Sequence, residues 1–363
     1  MPSRPAPRIT IKDLARELGM SVATVARAFH AGAAIAETTR AQVLSRAAAL
    51  GYQPNALARG MITRRTRIVG VVVSDLHNPF YPEALSRLCA TLQQAGCNTM
   101  LVTGREGPAG LMTGHEGVAE GPAGAEAAAL RLLLSYQPEC VVILATTLSS
   151  DAAAACEAAG TPLLYLNRFP GEVRAESIVC DNEAGAAALT AHLLAQGARR
   201  PAFIGGLAEA STQAERRAGF RRACAEAGLA PREQPAGAFT YEAGFDAALA
   251  LLTGPEPPDA LFCASDILAL GALEAARHRL GLRVPQDLKV AGFDDIPMSA
   301  WPSHDLTTLR QPLEAMLQAA LRWLGQVLDG APPPPRLTRL PGTLVPRGST
   351  ASSPQKDTPC HTH

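Results

Sequence analysis

Three groups of side chains in this 363-residue sequence have types and spacings that suit a definite chemistry. The first is Ser21, Val22, Ala23, Thr24 and Arg27. Ser21 is an N-cap residue by type, so Val22, Ala23 and Arg27 fall near the exposed N-terminal half of one short helix. A guanidinium there can donate two bonds to guanine O6 and N7, whereas Val and Ala offer only apolar contact, as with a thymine methyl. Thr10, Ser21, Thr24 and Asn55 suit phosphate oxygens, contacts that position without specifying. The second group is Phe80, Tyr81, Asn167, Arg168, Thr212, Arg216, Phe239, Ser265 and Asp294, all near strand ends or helix starts. Mixed donors and acceptors beside aromatic faces are what a small hydroxylated ligand needs. The third is the pair Ala58 and Met61, on one face at (i, i+3) of a short helix-capable stretch.

No catalytic set accompanies them. There is no P-loop, no GxGxxG after a strand, no HExxH and no GxSxG. The eight cysteines form no CxxC pair and have no zinc-site spacing. The expectation is a non-enzyme without metal or cofactor, its thiols reduced and buried in the cytoplasm. No apolar signal core opens the chain and no run of 18 apolar residues occurs, so neither export nor a membrane partner is expected.

The elements that must position these residues change character along the chain. Thr10-Ile11-Lys12-Asp13 is a capping box, Gly19 stops the helix it opens, and Ser21 opens a second one running to about His30. Ala15, Gly19 and Val25 have the offsets of a helix-turn-helix. A third helix fits 37–50, with Val43, Leu44 and Ala47 inward and Gly51 closing it. Beyond a basic linker, strand-like runs at 68–73, 98–103, 140–144, 162–166, 177–180, 201–205, 260–263 and 287–291 alternate with helical patterns. Those patterns lie at 80–95, 124–136, 183–197, 211–228, 241–252 and 265–280. Such alternation implies an α/β architecture of doubly wound parallel sheets, and so many strands fit two lobes with a ligand crevice between them. The expected domains are 1–54, a hinge at 55–66, a core at 67–348 and a polar, disordered tail at 349–363. A glycine-rich segment at 104–124, with Glu-Gly-Pro-Ala-Gly twice, reads as a long flexible loop.

Charge follows the same division. Residues 1–67 hold eleven Arg and Lys against three acids, a surplus of +8, and the remainder carries −8. A basic head on an acidic body implies that the head meets a polyanion.

These residues resemble the LacI/GalR family of bacterial repressors from about Ile9 to Thr350. The resemblance rests on Thr10 to Ala15, Ser21 to Arg27, Thr39-Arg40 and Gly51-Tyr52-Gln53-Pro54-Asn55. In the body it rests on Asn78-Pro79-Phe80-Tyr81, Asp181-Asn182, Arg216 with Gly219-Phe220, Ser265-Asp266, Gly292-Phe293-Asp294-Asp295, and Leu306-Thr307-Thr308 with Gln311-Pro312. It implies an N-terminal helix-turn-helix domain and hinge helix joined to a two-lobed core like that of a periplasmic binding protein. It further implies a homodimer or tetramer on double-stranded operator DNA, controlled by a sugar, polyol or sugar-acid effector. Within it, Met61 and Ala58 become the apolar wedge of a hinge helix that forms on DNA. The chain departs from the pattern at Ala26, His30, Met61, Asn167 and Ser265, which touches the operator sequence and the ligand rather than the architecture. The rival reading is a sugar-binding protein of the periplasmic type without a DNA role.

Overall fold

The computed structural model describes residues 9–30, 32–54, 65–73, 76, 78–103, 122–144 and 150–351. Asn55, Ala58 and Met61, with the expected hinge helix, lie outside the described residues, as do 104–121 and the tail beyond 351. The chain divides into two units, Met1–Thr66 and Arg67–His363.

In the first unit the capping signals act as the residue types dictate. Thr10 and Asp13 close a capping box on α1 (Ile11–Leu18), and Gly19 ends it at φ +63°. Ser21 caps α2 (Val22–Ala28), and α3 is Glu37–Ala49. Leu14, Ala15, Val25, Ala28, Val43 and Ala47 form the core. Leu44, expected inward, is instead 42% exposed. Val43 and Ala47 are one turn apart and fill the buried face, which rotates their neighbour Leu44 outward. The Arg40 guanidinium donates to the carbonyls of Ala28, His30 and Ala33, tying down the segment that leaves α2.

The second unit holds two six-stranded sheets. The first is parallel throughout: β1 (Ile68–Val73), β2 (Asn98–Thr103), β3 (Cys140–Leu144), β4 (Leu163–Leu166), β5 (Glu176–Cys180) and β11 (Leu337–Leu340), in the order β11-β5-β4-β3-β1-β2. The second has the order β12-β10-β9-β8-β6-β7, from β6 (Pro201–Gly205), β7 (Arg232–Pro235), β8 (Ala260–Cys263), β9 (Lys289–Asp294), β10 (Thr307–Arg310) and β12 (Thr343–Val345). Only β12 runs antiparallel to its neighbour. The inner strands are buried on both faces, which is why they read as unbroken apolar runs.

Helices fill the crossovers: α4 (Phe80–Gln94), α5 (Pro122–Leu134), α6 (Ser150–Ala158), α7 (Asn182–Ala195), α8 (Ser211–Glu226), α9 (Tyr241–Leu252), α10 (Asp266–Glu274) and α11 (Leu313–Leu328). The pattern at 265–280 breaks at Glu274, and one π-helical turn, Ala275–Arg279, completes it. The chain passes between the sheets three times, after Cys180, after Arg310 and after Leu340.

The boundary expected at 348 is corrected. Ser349 and Thr350 are buried. The Ser349 hydroxyl donates to the Val290 carbonyl (2.6 Å) and accepts from the Thr307 N–H (2.8 Å), and the Thr350 hydroxyl meets those of Thr307 (2.7 Å) and His192 Nε2 (2.9 Å). Short hydroxyl side chains here close the beginnings of β9 and β10, a use their polar composition does not advertise.

Candidate functional site

In the first unit, the buried face of α2 is Val25 and Ala28, so the opposite face is free. Ser21, Val22, Ala23 and Arg27 are exposed, and Thr24 is half-buried. Ser21 Oγ accepts from the Thr24 N–H (3.1 Å) and lies 2.9 Å from Thr24 Oγ1. Thr10 Oγ1 donates to Asp13 (2.6 Å) and accepts from its N–H (3.3 Å). These hydroxyls therefore cap helices first: the Thr10 O–H is taken by Asp13, while the Ser21 and Thr24 hydroxyls share one bond and leave one O–H to donate to an outside acceptor such as a phosphate oxygen. The Arg27 Nε folds back on the Ala23 carbonyl at 3.3 Å, leaving the amino groups of an exposed guanidinium at the helix surface. Val22, at 42% exposure, is an apolar side chain with no core to enter.

In the second unit, the carboxyl ends of the strands assemble a buried polar cluster around Arg216. This side chain is 3% exposed. Its Nε donates to Asn182 Oδ1 (2.9 Å), one amino group to the Ala264 carbonyl, and the other to Asp294 Oδ1 (3.2 Å). Its plane lies over the Phe293 ring, 3.7 Å from the centroid. Asp294 also accepts from Gln311 Nε2 at 2.7 Å and from Asn78. Asn78 follows the first sheet, Asp294 ends β9 in the second, and Asn182 and Gln311 stand on crossovers, so the cluster ties the two lobes together. Burial raises the Asp294 carboxyl above its usual range, and the Arg216 charge opposes that rise.

Other expected ligand residues lie around this cluster. Phe80 and Asp294 line one cleft of about 430 Å³ with Gln311 and Leu313. Tyr81 sets its ring edge-on to Phe80, 5.4 Å between centroids. Asn167 sits in the left-handed region (φ +59°) just past β4, held by its N–H on the Ile178 carbonyl. Ser265 is fully buried ahead of α10, and Thr212 is buried in the first turn of α8. Four buried polar atoms here have no hydrogen-bond partner among the described residues: Asn167 Oδ1, Arg168 Nε, Ser265 Oγ and Gln311 Oε1. The described contacts of Arg168 and Phe239 are not with the cluster. Arg168 precedes Phe169, whose N–H reaches Ser211 Oγ of the other lobe (3.2 Å), and the Phe239 ring packs on Gly206 past β6.

Asn78, Asn182, Asp266 and Gln311 entered the sequence reading only as residues of the family resemblance, not as site residues, and the fold places all four here. Their signal was position, since Asn182 and Gln311 directly follow strands where the chain changes lobe. Asp266 is fully buried and its carboxyl is pushed up to about 7, by burial first and by the Asp294 charge second. Nucleophilic chemistry finds no support in the thiols. Burial pushes Cys156 and Cys180 up to about 12 and raises Cys140 and Cys263 further, so all stay protonated at neutral pH. Among the described residues no cluster of His, Cys, Asp or Glu is placed to hold a metal ion, and no helix is long and apolar enough to cross a membrane.

Comparison with known proteins matches both units. Residues 10–55 fit the model of the bacterial regulatory proteins of the lacI family, and residues 190–350 fit the periplasmic binding protein-like domain. The HTH-type transcriptional regulator reg1 of Streptomyces lividans is 32% identical, over 95% of this chain and 97% of its own length. The lac repressor dimer bound to operator and the anti-inducer ONPF has the same fold with a TM-score of 0.82 at 26% identity, over 95% of this chain and all of that one. The transcriptional regulator CelR, in its cellobiose complex, gives 0.67 at 28% identity, over 94% and 100%. The match over 10–55 sets aside a binding protein without a DNA role, because a core of that kind alone has no use for a reading helix. This chain belongs to the lacI family and is a DNA-binding transcriptional regulator with an effector-binding core.

Proposed function

We propose that the chain works in the cytoplasm as a homodimer, reading a near-palindromic operator through Val22, Ala23 and Arg27, and that a neutral polyhydroxylated molecule in the interlobe crevice controls its affinity. The observation that carries the effector reading is a set of four unpartnered buried polar atoms, Ser265 Oγ and Gln311 Oε1 beside the Arg216 cluster and Asn167 Oδ1 and Arg168 Nε past β4, together with an Arg216 whose charge is already matched. Asp294 neutralises Arg216, and Asp266 adds a second buried carboxyl nearby. A ligand carboxylate would enter a neighbourhood with two acids to one base, at a desolvation cost that a hydroxyl does not meet. Hydroxyls both donate and accept, which suits Asn167 Oδ1 and Gln311 Oε1 as acceptors, Arg168 Nε as donor and Ser265 Oγ as either. The cellobiose bound by CelR is a ligand of this neutral class.

A sugar acid needs Arg216 or Arg168 to turn its fork to the ligand. For Arg216 that means releasing Asp294. Support for the homodimer comes from exposed apolar side chains on the second unit, Leu101, Leu132 and Tyr136 around edge strand β2 and Trp301 in the other lobe, and from the dimeric lac repressor.

A thermal-shift panel of neutral sugars paired with their acids tests the effector class. The expected result is a rise in Tm with one or more neutral sugars and none with the matching acids. Arg216→Lys is expected to lose that rise, because an ammonium cannot reproduce the planar fork toward Asn182, Ala264 and Asp294. Stabilisation by acids alone sinks the neutral reading.

A further inference from the structure

Asp266 is the one buried carboxyl near the crevice with no cationic partner among the described ion pairs. It opens α10, yet its side chain does not serve as a helix cap. Oδ1 accepts from the Thr308 hydroxyl at 2.6 Å. Oδ2 accepts from the Ser299 hydroxyl at 2.8 Å and from the Ile296 N–H at 2.9 Å. Thr308 Oγ1 in turn accepts from the Asp295 N–H at 3.3 Å. One carboxyl thus gathers, directly or through one hydroxyl, two consecutive backbone amides and a side chain of the turn that leaves β9.

That turn needs holding. Asp294 and Asp295 both have positive φ, +125° and +58°, conformations that cost energy for residues other than glycine and persist only where the surroundings enforce them. The backbone of β9 is also shaped around the carboxyl. A Cβ at Gly292 would lie 2.1 Å from Asp266 Oδ1, so the strand approaches the acid more closely than any side chain permits. A fully buried acid with only neutral donors is costly, and its contacts all converge on the residues that orient Asp294.

We infer that Asp266 is a positioning residue: it fixes the turn from Asp294 to Ala300 and so sets the Asp294 carboxylate for the effector without touching the effector itself. The role of Asp294 rests on the function proposed above; the hold on the turn does not.

The test uses the full chain and four variants. Asp266→Asn keeps an acceptor for Ile296 and Ser299 and turns a donor toward Thr308 Oγ1. Asp266→Ala removes all three bonds, and Ser299→Ala and Thr308→Val each remove one while leaving the fold a milder change. Amide hydrogen exchange at 295–300 is expected to speed up by about tenfold in Ser299→Ala and Thr308→Val, as for the loss of one hydrogen bond, by more in Asp266→Ala, and not in Asp266→Asn. Should Asp266→Ala not fold, the single-bond variants carry the same reading. Uniform exchange changes across the second unit, or none at 295–300, overturn the inference. A parallel titration with cellobiose, maltose and galactose reads effector affinity from the thermal shift. Weaker half-saturation in the variants that loosen the turn, rescued in Asp266→Asn, supports the link to Asp294; unchanged half-saturation despite a loosened turn overturns it. If the wild type answers to none of these sugars, the neutral-effector proposal loses its support, and the exchange data still decide whether Asp266 holds the turn.

Discussion

Arg216 reaches its partners because it projects from α8 across the ends of β8 and β9, to Ala264 and Asp294, and toward Asn182 at the crossover after β5. Breaking a buried pair of this kind costs about 3–5 kcal/mol, since the remaining charge is stranded. Arg27 sits at the opposite extreme, exposed and held by one backbone bond. Arg27→Ala is expected to leave folding intact and to lower operator affinity by about 1–3 kcal/mol, concentrated at one base pair of each half-site. Binding measured on a set of single-base operator variants checks this, and an equal loss on every sequence would make Arg27 a phosphate clamp. Asp266 supplies a pH test. Its folded-state carboxyl lies near 7 and its unfolded value near 3.8, so the folded chain holds the proton more tightly. Its contribution to stability is then full below about pH 4 and is lost as the pH rises toward 7. The Tm of wild type minus that of Asp266→Asn should fall across that window; a difference that stays flat contradicts the assignment. Cys263, Asp294, Thr308, Ser299 and Ile296 are the groups that act on this carboxyl or bond it, and the Asp294 charge adds to the upward push of burial.

Among elements, α9 and α10 pack where glycines allow their backbones to meet. A Cβ on Gly271 would lie 2.0 Å from the Tyr241 carbonyl oxygen, and one on Gly244 2.2 Å from that of Leu268. Neither obstacle is a flexible side chain. Gly271→Ala should therefore destabilise by about 1–3 kcal/mol through overpacking, despite Ala being the better helix former. A lower midpoint in urea unfolding is the expected reading, and an unchanged midpoint would mean that the two helices can slide apart freely. The elements themselves were legible wherever one physical signal dominated. Caps at Thr10 and Ser21, and the apolar runs of β1, β3 and β8, announce themselves through local chemistry. β7, an Arg-Glu-Gln-Pro edge strand, carries no such signal, because its side chains need no burial and pair at the surface instead, as Glu233 does with Arg221. The same holds for the site. Arg216 and Asp294 could be named from type and place, but their joining through Asn182 and Gln311 depends on where the chain changes lobe. Asp266 looked like one more helix-start acid, since its three donors come from residues 30 to 42 positions away.

At the scale of the molecule, a head of +8 is joined to a body of −8. The head gives an affinity for DNA that falls with salt, with a log–log slope of about −0.9 for each phosphate neutralised, and the body limits how much more of the chain lies against the polyanion. Few base contacts are available per half-site, and the proposed homodimer would double the sequence read on one operator. Control by an effector needs a difference in its affinity for two arrangements of the core, and the three crossovers with Asn78, Asn182 and Gln311 at the Arg216–Asp294 pair are where such a difference would be felt. The most direct measurement of this coupling selects operators from random duplex DNA with the full chain, then titrates the selected site by fluorescence anisotropy with and without the neutral sugar that gives the largest thermal shift. The account predicts a near-palindrome with half-sites about 10 bp apart and a sugar-dependent change in operator affinity that Arg216→Lys abolishes while binding to DNA persists. Equal affinity for selected and scrambled duplexes, or a selected operator whose affinity no stabilising ligand alters, would contradict it.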